Sequence, residues 1–195
     1  GSLGHYPNGS MVCVENTSNR GGGTCYSMGV LDEIAKVAKD NNCKSHIDGA
    51  RIFNASISSS LSVERMAREY DTISVCLSKG LGAPVGSVLV GPSKSLYKAH
   101  RWRKMFGGGM RQAGVLAAAG IYALDNNINR LSEDHARARE IASAVSKMDS
   151  YNVDLNQVQT NMVYVGCEKG DSENLVSRLE GKGIKTLTID DSTIR

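Results

Sequence analysis

Two charged residues stand where an apolar run gives way to a glycine turn. They are Asp48 in His46-Ile47-Asp48-Gly49-Ala50-Arg51 and Lys79 in Ser74-Val75-Cys76-Leu77-Ser78-Lys79-Gly80-Leu81-Gly82. A charge at the mouth of a buried strand costs desolvation unless a partner offsets it, and burial of a lysine favours its nucleophilic free amine. Ligands of open α/β sheets sit at the carboxyl ends of strands, which is where both residues fall. An amine and a carboxylate from neighbouring strand ends suit a pyridoxal phosphate site: the lysine can form a Schiff base, and the aspartate can keep the pyridine nitrogen protonated as an electron sink. Spacing alone favours a plainer account, in which Asp48 caps the turn at Gly49 and Lys79 is a solvated surface lysine.

The elements that would carry these residues alternate strand with helix, the pattern of an α/β sheet with helical crossovers. The spacing predicts strands at Met11 to Val14, Ser45 to Ile47, Thr72 to Leu77 and Val85 to Val90. Helices are expected at Leu31 to Asp40, Leu61 to Tyr70, Lys94 to Arg103, Arg111 to Leu124 and Leu131 to Met148. The link Ser78-Lys79-Gly80-Leu81-Gly82-Ala83-Pro84 is too short for a helical crossover, so the two strands it joins should be antiparallel and the sheet mixed. Beyond Asp149-Ser150 the pattern becomes strand (Met162 to Val165), helix (Glu173 to Leu179) and strand (Ile184 to Leu187), read as a smaller second domain. The domain division is expected at residues 1–127 and 128–195.

Composition narrows the function classes. With 195 residues and 41% apolar content the chain can bury a real core. A net charge of +3 with interspersed signs argues against nucleic acid as a partner. The longest mostly apolar run, Ala113 to Leu124, is too short to span a membrane. Five cysteines, odd in number and without a CxxC pair, speak against a disulfide framework or a zinc site and for a reducing, cytoplasmic setting.

The flanks add specificity. HIDGAR, then SVCLSKGLGAPVGSVLVG, then RWRKMFGGGMRQAGVLAAAG, in that order, resemble the low-specificity L-threonine aldolase family, a branch of the fold type I pyridoxal phosphate enzymes. The likeness runs from HYPNGSMVCVENTSN to TIR. It implies a mostly parallel mixed sheet with helices on both faces and part of a smaller α/β domain. It also implies retro-aldol cleavage of L-threonine or L-allo-threonine to glycine and acetaldehyde, with a small amino acid as the substrate. Lys79 matches the lysine bonded to the cofactor, Asp48 the aspartate on the pyridine nitrogen, and Arg51 an arginine near the cofactor and the substrate carboxylate. Arg195 matches a second carboxylate-binding arginine, Lys104 and Arg111 lie near the cofactor phosphate, and His5 matches a histidine acting near the substrate hydroxyl. A homodimer or homotetramer with shared active sites follows from the same resemblance.

Departures accompany it. Ser18 stands where the family's ENTHN carries histidine. The chain opens at Gly1 without methionine and stops at Arg195, so an amino-terminal segment and the last small-domain helices of the family are expected to lie outside it. The triple glycine Gly21-Gly22-Gly23 lacks the lysine and spacing of a P-loop and is read as a loop. His46 is expected as a satisfied core histidine, and His100 and His135 as surface residues. Two rival readings stand beside the aldolase: a non-catalytic chain acting through its interface, which would be colourless and bind no cofactor, and a related β-eliminating lyase, told from the aldolase by the product formed from threonine.

Overall fold

The computed structural model describes residues 9–195. They form two compact units, one of the chain up to Thr17 with Tyr26–Asn129, the other of Ser18–Cys25 with Arg130–Arg195.

The first unit is built on four strands in the order β1 (Met11–Glu15), β2 (Lys44–Gly49), β3 (Thr72–Cys76), β4 (Ser87–Val90). The first three are parallel and β4 is antiparallel to β3, as the short link between them requires. Side chains alternate across a strand, and here Val14, Ile47, Ile73 and Val75 are buried while Cys13, His46, Asp48, Ser74 and Cys76 take the opposite face. α1 (Met28–Asp40) packs on β1 and β2 and buries Leu31, Ala35 and Ala38. Its start is set by Ser27, whose Oγ accepts from the Val30 N–H at 3.4 Å.

α2 (Ile52–Ser59) has no counterpart in the sequence-based expectation. Its serines favour turns, yet burial of Ile52 and Ala55 holds it, the isoleucine alone contributing roughly 1.5–3 kcal/mol. The helix stops at Ser60, which adopts a left-handed φ of 57°. The helix expected over Leu61 to Tyr70 is shorter: α3 spans Val63–Ala67, capped by Ser62 Oγ accepting from the Arg65 N–H at 3.1 Å. Arg65 then clamps Asp32 of α1 through two hydrogen bonds of 2.9 and 2.6 Å. Two helices complete the unit, α4 (Ser93–Met105) and α5 (Gly114–Asn126).

In the second unit α6 (Leu131–Val145) buries Ala138 and Ala142 against Val153 and Val158. His135 on α6 is half-buried rather than a surface residue, and burial pushes its imidazole down against a smaller opposing effect of Asp134. A three-stranded antiparallel sheet runs β5-β7-β6, where β5 is Val165–Gly166, β6 Thr188–Asp190 and β7 Thr193–Ile194, with α7 (Ser172–Glu180) alongside. The strands expected at Met162 to Val165 and Ile184 to Leu187 are thus displaced along the chain. Ile184 and Leu187 are half exposed, so their apolar character does not mark a buried strand. Among the described residues no helix is long and apolar enough to cross a membrane.

Candidate active site

Asp48 and Lys79 are delivered by neighbouring parallel strands to the same edge of the sheet. Asp48 is the penultimate residue of β2, in register with Glu15 on β1 and Ser74 on β3. Its Oδ1 accepts from the Ala50 N–H at 3.0 Å, so the turn-capping role read from the sequence is real. That bond fixes the carboxylate without consuming it, because Oδ2 has no hydrogen-bond partner among the described residues. The Asp48 carbonyl accepts from the Asn16 N–H at 2.9 Å, which ties the end of β2 to β1. Gly49 follows for a steric reason: a Cβ there would stand 2.7 Å from the Ser74 carbonyl oxygen and 3.0 Å from Ile73 Cδ1. Only glycine lets the two strand ends close this tightly.

Lys79 lies in the turn that leaves β3. The turn is held by Leu77 N–H to the Gly86 carbonyl at 2.9 Å, Ala83 N–H to the Leu77 carbonyl at 3.0 Å, and Gly82 N–H to the Lys79 carbonyl at 2.9 Å. Leu81 and Ala83 are buried beneath it, and Asn127 Nδ2 donates to the Leu81 carbonyl at 2.7 Å. The backbone carrying the amine is therefore fixed. The side chain itself is exposed, as the plainer reading of a solvated lysine has it and unlike a buried amine. Cys76 reports on the surroundings. Burial pushes its thiol up, but hydrogen bonds with Ser78 and Ser87 and the charge of Lys79 outweigh that and bring it below its ordinary value.

Arg51 is half-buried directly before α2, and its carbonyl accepts the first helical N–H groups from Asn54 and Ala55 at 3.0 and 3.2 Å. Lys104 occupies the last turn of α4 and Arg111 the segment between α4 and α5, both exposed. A Cβ at Gly109 would meet Lys104 Cδ at 2.7 Å, so the lysine stem lies along bare glycine backbone. His5 lies outside the described residues. His46 is satisfied as expected, its Nδ1 2.8 Å from Thr72 Oγ1.

Arg195 belongs to the second unit, with the loop Ser18–Cys25. Ser18, the departure noted in the sequence, closes that loop: its N–H donates to the Thr24 carbonyl at 2.9 Å and its Oγ accepts from the Gly21 N–H at 3.1 Å. Sequence reasoning passed over two residues here. Asn16 is fully buried, accepting from the Tyr26 N–H at 3.4 Å, and Asn19 accepts from Arg195. The available signal was the polar run Glu15-Asn16-Thr17-Ser18-Asn19 placed directly at a strand end.

The mixed, mostly parallel sheet with its helices, in a chain with a smaller α/β unit, has the fold type I architecture. The solved structure of Leishmania major threonine aldolase shares it, with a TM-score of 0.72 at 19% identity over 94% of this chain and 53% of that one. The family model for beta-eliminating lyases matches residues 1–168, and the chain belongs to that family. Low-specificity L-threonine aldolase 1 of Arabidopsis thaliana is 42% identical over 193 residues, 97% of this chain and 54% of the relative. The low specificity L-threonine aldolase of Escherichia coli K12 is 43% identical over 161 residues, 83% of this chain and 46% of the relative. The chain spans about half the length of the curated relatives it matches.

Proposed function

We propose that the protein is a pyridoxal phosphate-dependent aldehyde-lyase that cleaves L-threonine or L-allo-threonine between Cα and Cβ to give glycine and acetaldehyde. The observation that supports the reading is that Asp48 stands at the end of β2 and Lys79 in the turn leaving the adjacent parallel strand β3, with one Asp48 oxygen engaged in its turn and the other open. The donor set fits the cofactor: an amine for its aldehyde, a carboxylate for its ring nitrogen, and two exposed cations for its phosphate, Lys104 along the Gly109 backbone and Arg111. When bound, the cofactor supplies an electron sink for the pair released as the Cα–Cβ bond breaks.

The chain's residues do the rest. Asp48 holds the proton on the pyridine nitrogen through a charge-assisted hydrogen bond. Arg51 and Arg195 take the substrate carboxylate, and orienting it sets which bond at Cα is aligned to break. His5 takes the proton from the β-hydroxyl as a neutral imidazole. A homo-oligomer in a cytoplasmic setting belongs to the same reading. It is supported by the exposed aromatic side chains of Tyr97, Trp102 and Phe106 on and just after α4, with Trp102 and Phe106 stacked at 5.7 Å.

The protein supplied with pyridoxal phosphate and L-threonine should release glycine and acetaldehyde in equal amounts. Formation of 2-oxobutanoate and ammonia instead would favour β-elimination, the chemistry in the name of the matching family model. Absence of any product would contradict both.

A further inference from the structure

We infer that Asn127, the residue that caps α5 at its carboxyl end, is a positioning residue for Lys79, because its side chain holds the turn that presents the amine. The inference rests on the cofactor-bonding role proposed above for Lys79. Lys79 opens a four-residue turn that Gly82 closes, the Gly82 N–H donating to the Lys79 carbonyl at 2.9 Å from a left-handed φ of 76°. Between them lies the buried Leu81, whose carbonyl accepts no backbone N–H among the described residues. Asn127 Nδ2 satisfies it, donating at 2.7 Å from 46 residues further along the chain.

The amide is itself held by its helix. Gly120, Ala123 and Asn127 follow one another at i, i+3 and i+7, so they share one face of α5. A Cβ at Gly120 would stand 3.1 Å from Leu77 Cδ1, so this face lies close against the first residue beyond β3, and Ala123 is buried. The Asn127 N–H donates to the Ala123 carbonyl at 2.9 Å, which carries the helical ladder up to the residue that reaches the turn. A lysine side chain is long and flexible, and bonding its tip to a bound ring removes that freedom. With the backbone already fixed, only the side chain has to be ordered. A loosened turn therefore weakens the bond between Lys79 and the cofactor while sparing the cofactor's other contacts.

The test is equilibrium binding of two probes to the full chain stripped of cofactor. Pyridoxal phosphate has an aldehyde that condenses with an amine to a C=N bond and releases water; pyridoxine phosphate has an alcohol there and cannot. Asn127→Ala should weaken pyridoxal phosphate about ten-fold, the cost of one lost hydrogen bond that leaves a carbonyl unpaired, with pyridoxine phosphate unchanged. In a Lys79→Ala background the same substitution should cost nothing further, since the amine it positions is gone. If Lys79→Ala weakens pyridoxal phosphate and Asn127→Ala does not, the inference is wrong while the reading of Lys79 stands. If Lys79→Ala leaves pyridoxal phosphate binding intact, that reading fails and the inference with it. Equal weakening of both probes by Asn127→Ala would mark a merely structural role and overturn the assignment. Should Asn127→Ala not fold, Asn127→Ser keeps a polar cap on α5 but is too short to reach the Leu81 carbonyl. The same selective loss is expected there, and any other pattern contradicts the proposal.

Discussion

Asp48 is the residue at which local structure and chemistry can be separated. Asparagine at this position keeps the size and the oxygen that accepts from Ala50, but it carries no charge to hold a proton on a ring nitrogen. Asp48→Asn should therefore fold and bind cofactor as before, while turnover falls by roughly a hundred- to a thousand-fold. Steady-state rates on L-threonine check this, and an undiminished rate would remove Asp48 from its role. Asp48 and Lys79 stood out in the sequence as charges interrupting apolar runs, but spacing alone favoured a turn cap and a solvated lysine, and only the flanking motifs pointed to a site. Asn19 did not stand out, because asparagine in a polar loop is what any turn would carry. Only folding shows that its side chain reaches residue 195.

Among the elements, the end of β2 and the contact of α1 with Tyr70 make measurable claims. Gly49→Ala forces a methyl to within 2.7 Å of a backbone oxygen on β3. The strands must part, and thermal unfolding should show a loss of about 1–3 kcal/mol. A variant as stable as the parent would mean that the close approach is not needed. The Tyr70 hydroxyl donates to the Leu31 carbonyl at 2.9 Å. Burial above all, with smaller effects of Asp32 and Tyr26, pushes this phenol up to about 12. The unfolded chain loses that proton near pH 10 while the folded chain keeps it. The contribution is therefore complete below pH ~10 and lost as pH rises towards ~12. Tyr70→Phe should flatten this alkaline limb in a melting series and cost about 1 kcal/mol at neutral pH. An unchanged limb would assign the loss to other groups.

The strands of the first sheet and its antiparallel return could be read from apolar runs and a short link, since both follow from local chain geometry. α2 could not, because Ile52-Phe53-Asn54-Ala55-Ser56-Ile57-Ser58-Ser59 has weak helical propensity and is held by tertiary burial of Ile52 and Ala55. The short strands of the second unit pair through a shifted register between Thr188 and Asp190 that no periodicity announces.

At the scale of the whole molecule, the exposed apolar side chains of α4 and α5 set the expectation for assembly. Tyr97, Phe106 and Val115 are each at least 80% exposed, more than isolated surface hydrophobics need. Light scattering should give a mass of two or four chains, and Phe106→Glu should shift it towards one. A protein already monomeric at micromolar concentration would refute the homo-oligomer reading.

Everything in the account turns on Lys79 as the attachment point of pyridoxal phosphate. The most direct measurement is borohydride reduction of the cofactor-treated protein, then proteolysis and mass mapping of the modified lysine. The account predicts the pyridoxyl group on Lys79 alone, with no label fixed in Lys79→Ala; a label on another lysine, or one that survives that substitution, would contradict it.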